Sequence, residues 1–101
     1  MLNFKTTPVL ADSYPATLLS FDIGGDGVLS PDALGSLSVP DLPWDRGVII
    51  SGRGPIWLFA ALSHHCHPAR WVAINDPRLG AVVVQRHTPV APRIGAVLSF
   101  S

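Results

Sequence analysis

The sequence has little that could cross-link the chain or anchor it in a membrane. Its 101 residues include one cysteine, Cys66, so no disulfide can form within the chain. No apolar run approaches the roughly 18 to 20 residues that span a bilayer. Residues 1–13 lack the basic start and long apolar run of a signal peptide. We therefore expect a cytoplasmic protein in a reducing compartment, with no membrane partner.

Charge is also scarce. Charged residues make up 14% of the chain, with seven Lys plus Arg against seven Asp plus Glu. A neutral chain has no overall field that attracts nucleic acid, so we expect no DNA binding, and any anion must be held by local charge. Six of the seven acidic residues precede Arg46, and six of the seven basic residues are arginines from Arg46 onward. Anion recognition is therefore expected in the second half.

Apolar residues, by contrast, are plentiful. The chain is 48% hydrophobic, with a mean hydropathy of +0.36. This content excludes a disordered chain, and the length fits one domain over residues 1–101. Because the composition is more apolar than that of a typical soluble monomer, we expect another copy of the chain to cover part of the surface.

The apolar pattern predicts seven elements in the order strand, helix, strand, helix and three strands. Ser30 and Pro31 are suited to the N-cap and first position of a short helix, and Pro55 opens a longer one. The predicted strands are 16–23, 47–51, 70–76, 81–87 and 94–100, and the predicted helices are 30–37 and 55–65, the second with Ile56, Phe59, Ala60 and Ser63 on one stripe. The segments 70–76 and 81–87 form a hairpin through the turn at 77–80. We expect an α+β protein, ferredoxin-like, with a four- to five-stranded sheet and two helices.

The segment "SGRGPIW", residues 51–57, is a candidate anion site. It joins a buried strand to a helix N-terminus, where free N–H groups and the helix dipole favour negative charge. Glycines allow the backbone to approach a ligand, and Arg53 can bond a phosphate with two N–H groups. The alternative is a glycine-rich turn with a solvated arginine.

The segment "HHCHP", residues 64–68, offers imidazoles at a helix end. His64 and His67 are three residues apart, as neighbours on one helix face would be. They could bind a metal or exchange protons near neutral pH. The alternative is polar capping of the helix C-terminus.

The segment "NDPRLG", residues 75–80, carries Asp76 and Arg78 in a turn. Asp-Pro is a common turn former, so a solvated turn is the alternative. With the hairpin in register, His87 lies at the far end from this turn. Asp76 and His87 would then serve different sites or different subunits.

A protein nucleophile is missing from these patterns. Cys66 beside two histidines is not a catalytic pair by adjacency alone, and no G-x-S-x-G is present. Histidines and arginines without a nucleophile suit cleavage of RNA, because the ribose 2′-hydroxyl can attack its own phosphate.

From Arg46 to Thr88 the sequence resembles the small single-domain ring nucleases of type III CRISPR systems. The resemblance is carried by "RGVIISGRGPIWL", by the His-x-x-His after the helix, and by "DPRLGAVVVQ" followed by a histidine. It implies cleavage of the second messenger cyclic tetra-adenylate to linear di-adenylate, which switches off antiviral signalling. It also implies a homodimer that assembles to a tetramer around the ligand. Proteins of this kind are also described as manganese-dependent exonucleases that shorten RNA 3′ ends.

The resemblance assigns roles to particular residues. Catalysis would fall to His67, Asp76 and Arg78. A Mn²⁺ ion would be held by His64, His67 and Asp76. The substrate-binding residues would be Ser51, Gly52, Arg53, Gly54 and His87. The alternatives are a sensor that binds cyclic oligoadenylate without cutting it, a manganese-dependent RNA 3′ deadenylation exonuclease, and a structural oligomer.

Overall fold

Six strands and two short helices make up the regular structure of residues 2–101, which a computed structural model describes. The strands are β1 (Asn3–Ala11), β2 (Tyr14–Asp22), β3 (Gly47–Gly52), β4 (Trp71–Asp76), β5 (Gly80–Arg86) and β6 (Val97–Leu98). The helices are a 3-10 helix (Pro31–Ser36) and α1 (Ile56–His65). Ser30 caps the 3-10 helix by accepting a hydrogen bond from the Asp32 N–H, as the sequence predicts.

All six strands belong to one mixed sheet in which each strand pairs with the next along the chain. β2, β3 and β4 are parallel, while β1 and β5 pair with them in antiparallel fashion. The carboxyl ends of three parallel strands therefore meet at one edge of the sheet, and their amino ends meet at the opposite edge. We call these the carboxyl edge and the amino edge.

The sheet curls until the end of the chain reaches the first strand. The backbones of Leu10 and Ser101 exchange two hydrogen bonds of 3.2 Å, and Asp12 N–H donates to Ser99 at 2.9 Å. One face is thereby enclosed. Small side chains suit so curved an interior, and five of the nine buried residues there are alanines. They are Ala11, Ala16, Ala73, Ala81 and Ala91.

The other face packs against α1. Leu58 and Leu62, one helical turn apart, are fully buried against Val48, Ile50 and other residues of the sheet. Burial of each leucine contributes about 1.5–3 kcal/mol. The predicted stripe that begins at Ile56 is wrong, because Ile56 is 86% exposed.

The ferredoxin-like prediction is also wrong. That fold interleaves two strand–helix–strand units, so consecutive strands are not all neighbours, whereas here they are. The sheet has six strands rather than four or five, and one of the two predicted helices is a single 3-10 segment. The predicted last strand at 94–100 is reduced to Val97–Leu98 and an isolated bridge at Phe100.

The strand that the sequence did not reveal is β1. Its central Pro8 and its polar residues argue against a buried strand. β1 tolerates this proline because at Pro8 it pairs with β2 alone, and the end of the chain bonds to β1 only from Leu10 onward. The other predicted strands and α1 are present, and the hairpin of β4 and β5 is confirmed.

Gly47 provides a test of the packing at the start of β3. A Cβ built on Gly47 would overlap the indole ring of Trp71, which is 2% exposed and has no room to move. Gly47→Ala should therefore lower the free energy of unfolding by about 1–3 kcal/mol. Denaturant unfolding measures this change. Gly35→Ala is the matched control, since nothing lies within 4 Å of its Cβ position. Equal midpoints for Gly47→Ala and the unchanged protein would contradict this packing.

Candidate functional site

The carboxyl edge carries an open cleft of about 690 Å³. Its walls are the loop after β2 and the segment that leads from β3 into α1. Arg53 and Trp57 lie on one side, and Gly24, Gly25 and Gly27 on the other. The cleft therefore combines the guanidinium of Arg53, the carboxylate of Asp22, an aromatic ring and accessible backbone, groups that can hold a polar ligand with a flat ring.

Two glycines of the "SGRG" segment lie against the ring of Phe21. A Cβ on Gly52 would stand 2.7 Å from that ring, and one on Gly54 would stand 2.9 Å from it. The packing on Phe21 thus requires glycine at both positions. It also holds the loop in place and leaves Arg53 exposed.

The same edge holds Asp76 and Arg78. Asp76 Oδ1 accepts the Arg78 N–H at 2.8 Å and lies 3.8 Å from Arg78 Nε, while the Arg78 side chain is 90% exposed. Asn75 Nδ2 donates to Ser51 Oγ at 3.1 Å and so joins the ends of β4 and β3. Asp76 therefore shapes the turn and forms a loose ion pair with Arg78, whose guanidinium is otherwise open to solvent.

The amino edge carries a pair of imidazoles. The rings of His67, after α1, and His87, after β5, pack edge to face with centroids 4.3 Å apart. The backbone N–H of His87 donates to Arg70 O at 2.9 Å, and His87 Nε2 lies 2.8 Å from Gln85 Oε1. Both histidines are exposed, so the pair can exchange protons with a ligand.

The structure does not bring all the predicted residues together. In the β4–β5 register, Asp76 pairs with Gly80 and Trp71 pairs with Arg86. His87 therefore lies at the opposite end of the hairpin from Asp76, as the sequence indicated, and His67 lies beside His87. The length of β4 separates the two groups by about 17 Å, at 3.3 Å per residue.

The predicted manganese ligands are divided in the same way. His64, in the last turn of α1, and His67 lie near the amino edge, and Asp76 lies at the carboxyl edge. Within residues 2–101, no three His, Cys, Asp or Glu side chains are grouped closely enough to hold a metal ion. A single chain therefore does not supply the ligand set predicted for Mn²⁺.

The sequence reasoning missed two features of the site. One is the loop of glycines after β2, because the run "GGDG" by itself predicts only a turn. The other is Gln85. The pattern "QRH" contained a signal for it, because residues two apart along an extended chain lie on the same face.

A family model described as "CRISPR-associated protein (Cas_csx3)" matches residues 22–99. This span includes both edges of the sheet and every residue of the two groups. The chain belongs to the Csx3 family. An uncharacterized protein of Aquifex aeolicus (strain VF5) is 38% identical over 89 residues, which cover 83% of this chain and 78% of that protein. No helix within residues 2–101 of this Csx3 protein is long and apolar enough to cross a membrane.

Cys66 lies beside the imidazole pair in sequence but not in the site. It is fully buried in the core under α1, and burial raises the pKa of its thiol to about 11. The thiol is therefore protonated at neutral pH and does not act as a nucleophile.

Alkylation tests this burial. Near pH 8, iodoacetamide should label the folded Csx3 protein at least about 100-fold more slowly than the chain unfolded in guanidinium chloride, because a pKa two units higher leaves a hundredth of the thiolate. Mass spectrometry reads the label without ambiguity, since Cys66 is the single cysteine. Comparable labelling of the two states would show that the thiol is accessible.

Proposed function

We propose that this Csx3-family protein is a ring nuclease. It cleaves cyclic tetra-adenylate to linear di-adenylate and thereby ends antiviral signalling in a type III CRISPR system. The observation that carries the proposal is the exposed His67–His87 pair, fixed at the amino edge of a CRISPR-associated fold. Family membership supports the CRISPR role, and the resemblance of residues 46–88 to ring nucleases supplies the substrate.

The side chains of the proposed site suit cleavage of RNA, a reaction that needs no nucleophile from the protein. Cys66 is buried and protonated, so it does not supply the attacking group, and the proposal takes that group from the substrate. A ribose 2′-hydroxyl lies next to the phosphate that it attacks. The protein then needs to supply a base, an acid and a cation.

The proposed reaction uses only these groups. One imidazole accepts the proton of the 2′-hydroxyl as O2′ forms a bond to phosphorus. The bond from phosphorus to O5′ breaks, and a protonated imidazole donates a proton to that oxygen. The Arg78 guanidinium stabilises the charge that develops on the phosphoryl oxygens. Each cut leaves a 2′,3′-cyclic phosphate and a free 5′-hydroxyl, and two cuts give two linear di-adenylates.

These groups belong to different copies of the chain in the proposed complex. The imidazole pair and Arg78 of one chain are about 17 Å apart along β4, so both cannot reach one phosphate. The carboxyl edge of one copy, with Arg53 and Arg78, is proposed to face the amino edge of another, with the ring between them. Because the ligand is itself symmetric, repeated copies place the same few cations around it, although each chain is neutral.

Manganese has no step in this mechanism, because one chain does not group three ligands for it within residues 2–101. A metal requirement, as the ring-nuclease resemblance implies, would depend on ligands from more than one copy. Cleavage of cyclic tetra-adenylate is therefore measured both with and without Mn²⁺.

Mixing variants tests the shared site. His67→Ala and Arg78→Ala should each abolish cleavage of labelled cyclic tetra-adenylate, measured by gel electrophoresis of the products. Mixed in equal amounts, they should regain about a quarter of the unchanged activity, since a quarter of random edge-to-edge junctions unite two intact edges. All the altered side chains are exposed, so the fold should be kept.

The control is a mixture of His67→Ala with His87→Ala. Both changes damage the amino edge, so no junction is complete and no activity should return. Cleavage by the unchanged protein without recovery in the first mixture would contradict the shared site. Binding without product would favour the sensor, and faster shortening of poly-adenylated RNA at equal concentration would favour the exonuclease.

A further inference from the structure

Gln85 connects the end of α1 to the imidazole pair. Its side-chain amide is 2.8 Å from the backbone oxygen of Ser63 and 2.7 Å from Ser63 Oγ. Its Oε1 is 2.8 Å from His87 Nε2. The two bonds between Gln85 and Ser63 are partly buried and so shielded from competing water, whereas the bond to His87 lies at the surface.

The backbone carbonyl of Ser63, near the end of α1, needs a hydrogen-bond donor from outside the helix. The His67 N–H, which would continue the α-helical pattern onto the Ser63 carbonyl, donates instead to His64 O at 3.2 Å. The last carbonyls of a helix need donors from outside the helix, and Gln85 supplies one.

The Ser63 carbonyl fixes the orientation of the Gln85 amide. A backbone oxygen only accepts hydrogen bonds, so the group that faces it must be the NH₂ of Gln85. The Gln85 oxygen then has to face His87. Since that oxygen also only accepts, His87 Nε2 must carry a hydrogen. A neutral His87 therefore has its lone pair on Nδ1.

His67 restrains the same ring from another side. The two rings pack edge to face at 4.3 Å, so His87 is held both by packing and by a hydrogen bond. Within residues 2–101, no group bonds to Nδ1 of His87. This nitrogen is therefore the free proton-accepting atom of a ring whose tautomer is already set.

We propose that Gln85 is a positioning residue that keeps the hydrogen of His87 on Nε2, so that Nδ1 of His87 accepts the proton of the attacking 2′-hydroxyl. Gln85 Oε1 continues to accept from Nε2 after the transfer and stabilises the imidazolium that forms. The catalytic half of this inference rests on the proposed ring-nuclease function. The tautomer half concerns the free protein and does not.

Nitrogen NMR of the histidine-labelled protein reads the tautomer directly. At a pH high enough to leave the ring neutral, His87 should show Nε2 as the protonated, pyrrole-type nitrogen and Nδ1 as the unprotonated one. His87→Ala identifies the signal. In Gln85→Met, which keeps the length of the side chain and removes both bonds, His87 should move to the tautomer mixture of a free imidazole.

Two further variants separate positioning from a structural effect. Ser63→Ala removes the hydroxyl contact and keeps the carbonyl, so the His87 tautomer should not change. Gln85→Glu keeps an acceptor for His87 and should retain the tautomer, even if the end of α1 is weakened. The tautomer assignment would be overturned by a proton on Nδ1 of His87 in the unchanged protein. It would also be overturned if the unchanged protein and Gln85→Met showed the same mixture of His87 tautomers.

Kinetics test the catalytic half. Gln85→Met should lower kcat for cyclic tetra-adenylate about 10- to 100-fold with little change in KM, and Gln85→Glu should recover most of the loss. Normal kcat in a Gln85→Met protein whose tautomer is released would overturn the positioning role and leave the ring-nuclease function intact. No cleavage by the unchanged protein would overturn the ring-nuclease function and the catalytic half of this inference. The tautomer half would stand.

Discussion

β2, β3 and β4 run in the same direction, side by side, through the middle of the sheet, and this parallel pairing determines where every candidate group lies. The segments after the strands gather at one edge, with Arg53, Asp76 and Arg78. The segments before the strands gather at the other edge, where the end of the β4–β5 hairpin adds His87. One chain therefore presents the exposed guanidiniums of Arg53 and Arg78 and the imidazole pair of His67 and His87 on opposite sides of the same domain.

Packing beneath the sites explains how so apolar a chain holds polar groups in order. At the carboxyl edge, Gly52 and Gly54 allow the loop to pack closely against Phe21, and Arg53 is left exposed to solvent. At the amino edge, Leu62 and Cys66 anchor the end of α1 in the core. From there a short chain of hydrogen bonds runs through Ser63 and Gln85 to His87. Neither edge depends on a buried charge, which would be costly to desolvate.

The sequence predicted the parts of this structure that local patterns determine. Pro55 and Pro68 bracket α1, the β-branched run at Val48–Ile50 marks β3, and Pro77 with Gly80 marks the hairpin turn. The register of that hairpin also predicts the wide separation of Asp76 from His87. These features depend on residues that are close in sequence, so local residue patterns are enough to reveal them.

Long-range pairing could not be predicted in the same way. The bond between Leu10 and Ser101 closes the curled sheet through residues at opposite ends of the chain, and nothing local to either segment requires it. β1 was missed because Pro8 is acceptable only where the strand is bonded on one side, and the stretch of β1 around Pro8 pairs with β2 alone. Gln85 was missed because its partner Ser63 is 22 residues away, near the end of α1, where the His67 N–H donates to His64 O instead of to Ser63 O.

The most direct measurement of the account is the rate of cyclic tetra-adenylate cleavage per protomer as the protein is diluted, with the oligomeric state followed by analytical ultracentrifugation. A site shared between the amino edge of one copy and the carboxyl edge of another predicts a rate per protomer that rises with protein concentration and then levels off. A constant rate that persists where the protein is monomeric, or no cleavage at any concentration, would contradict it.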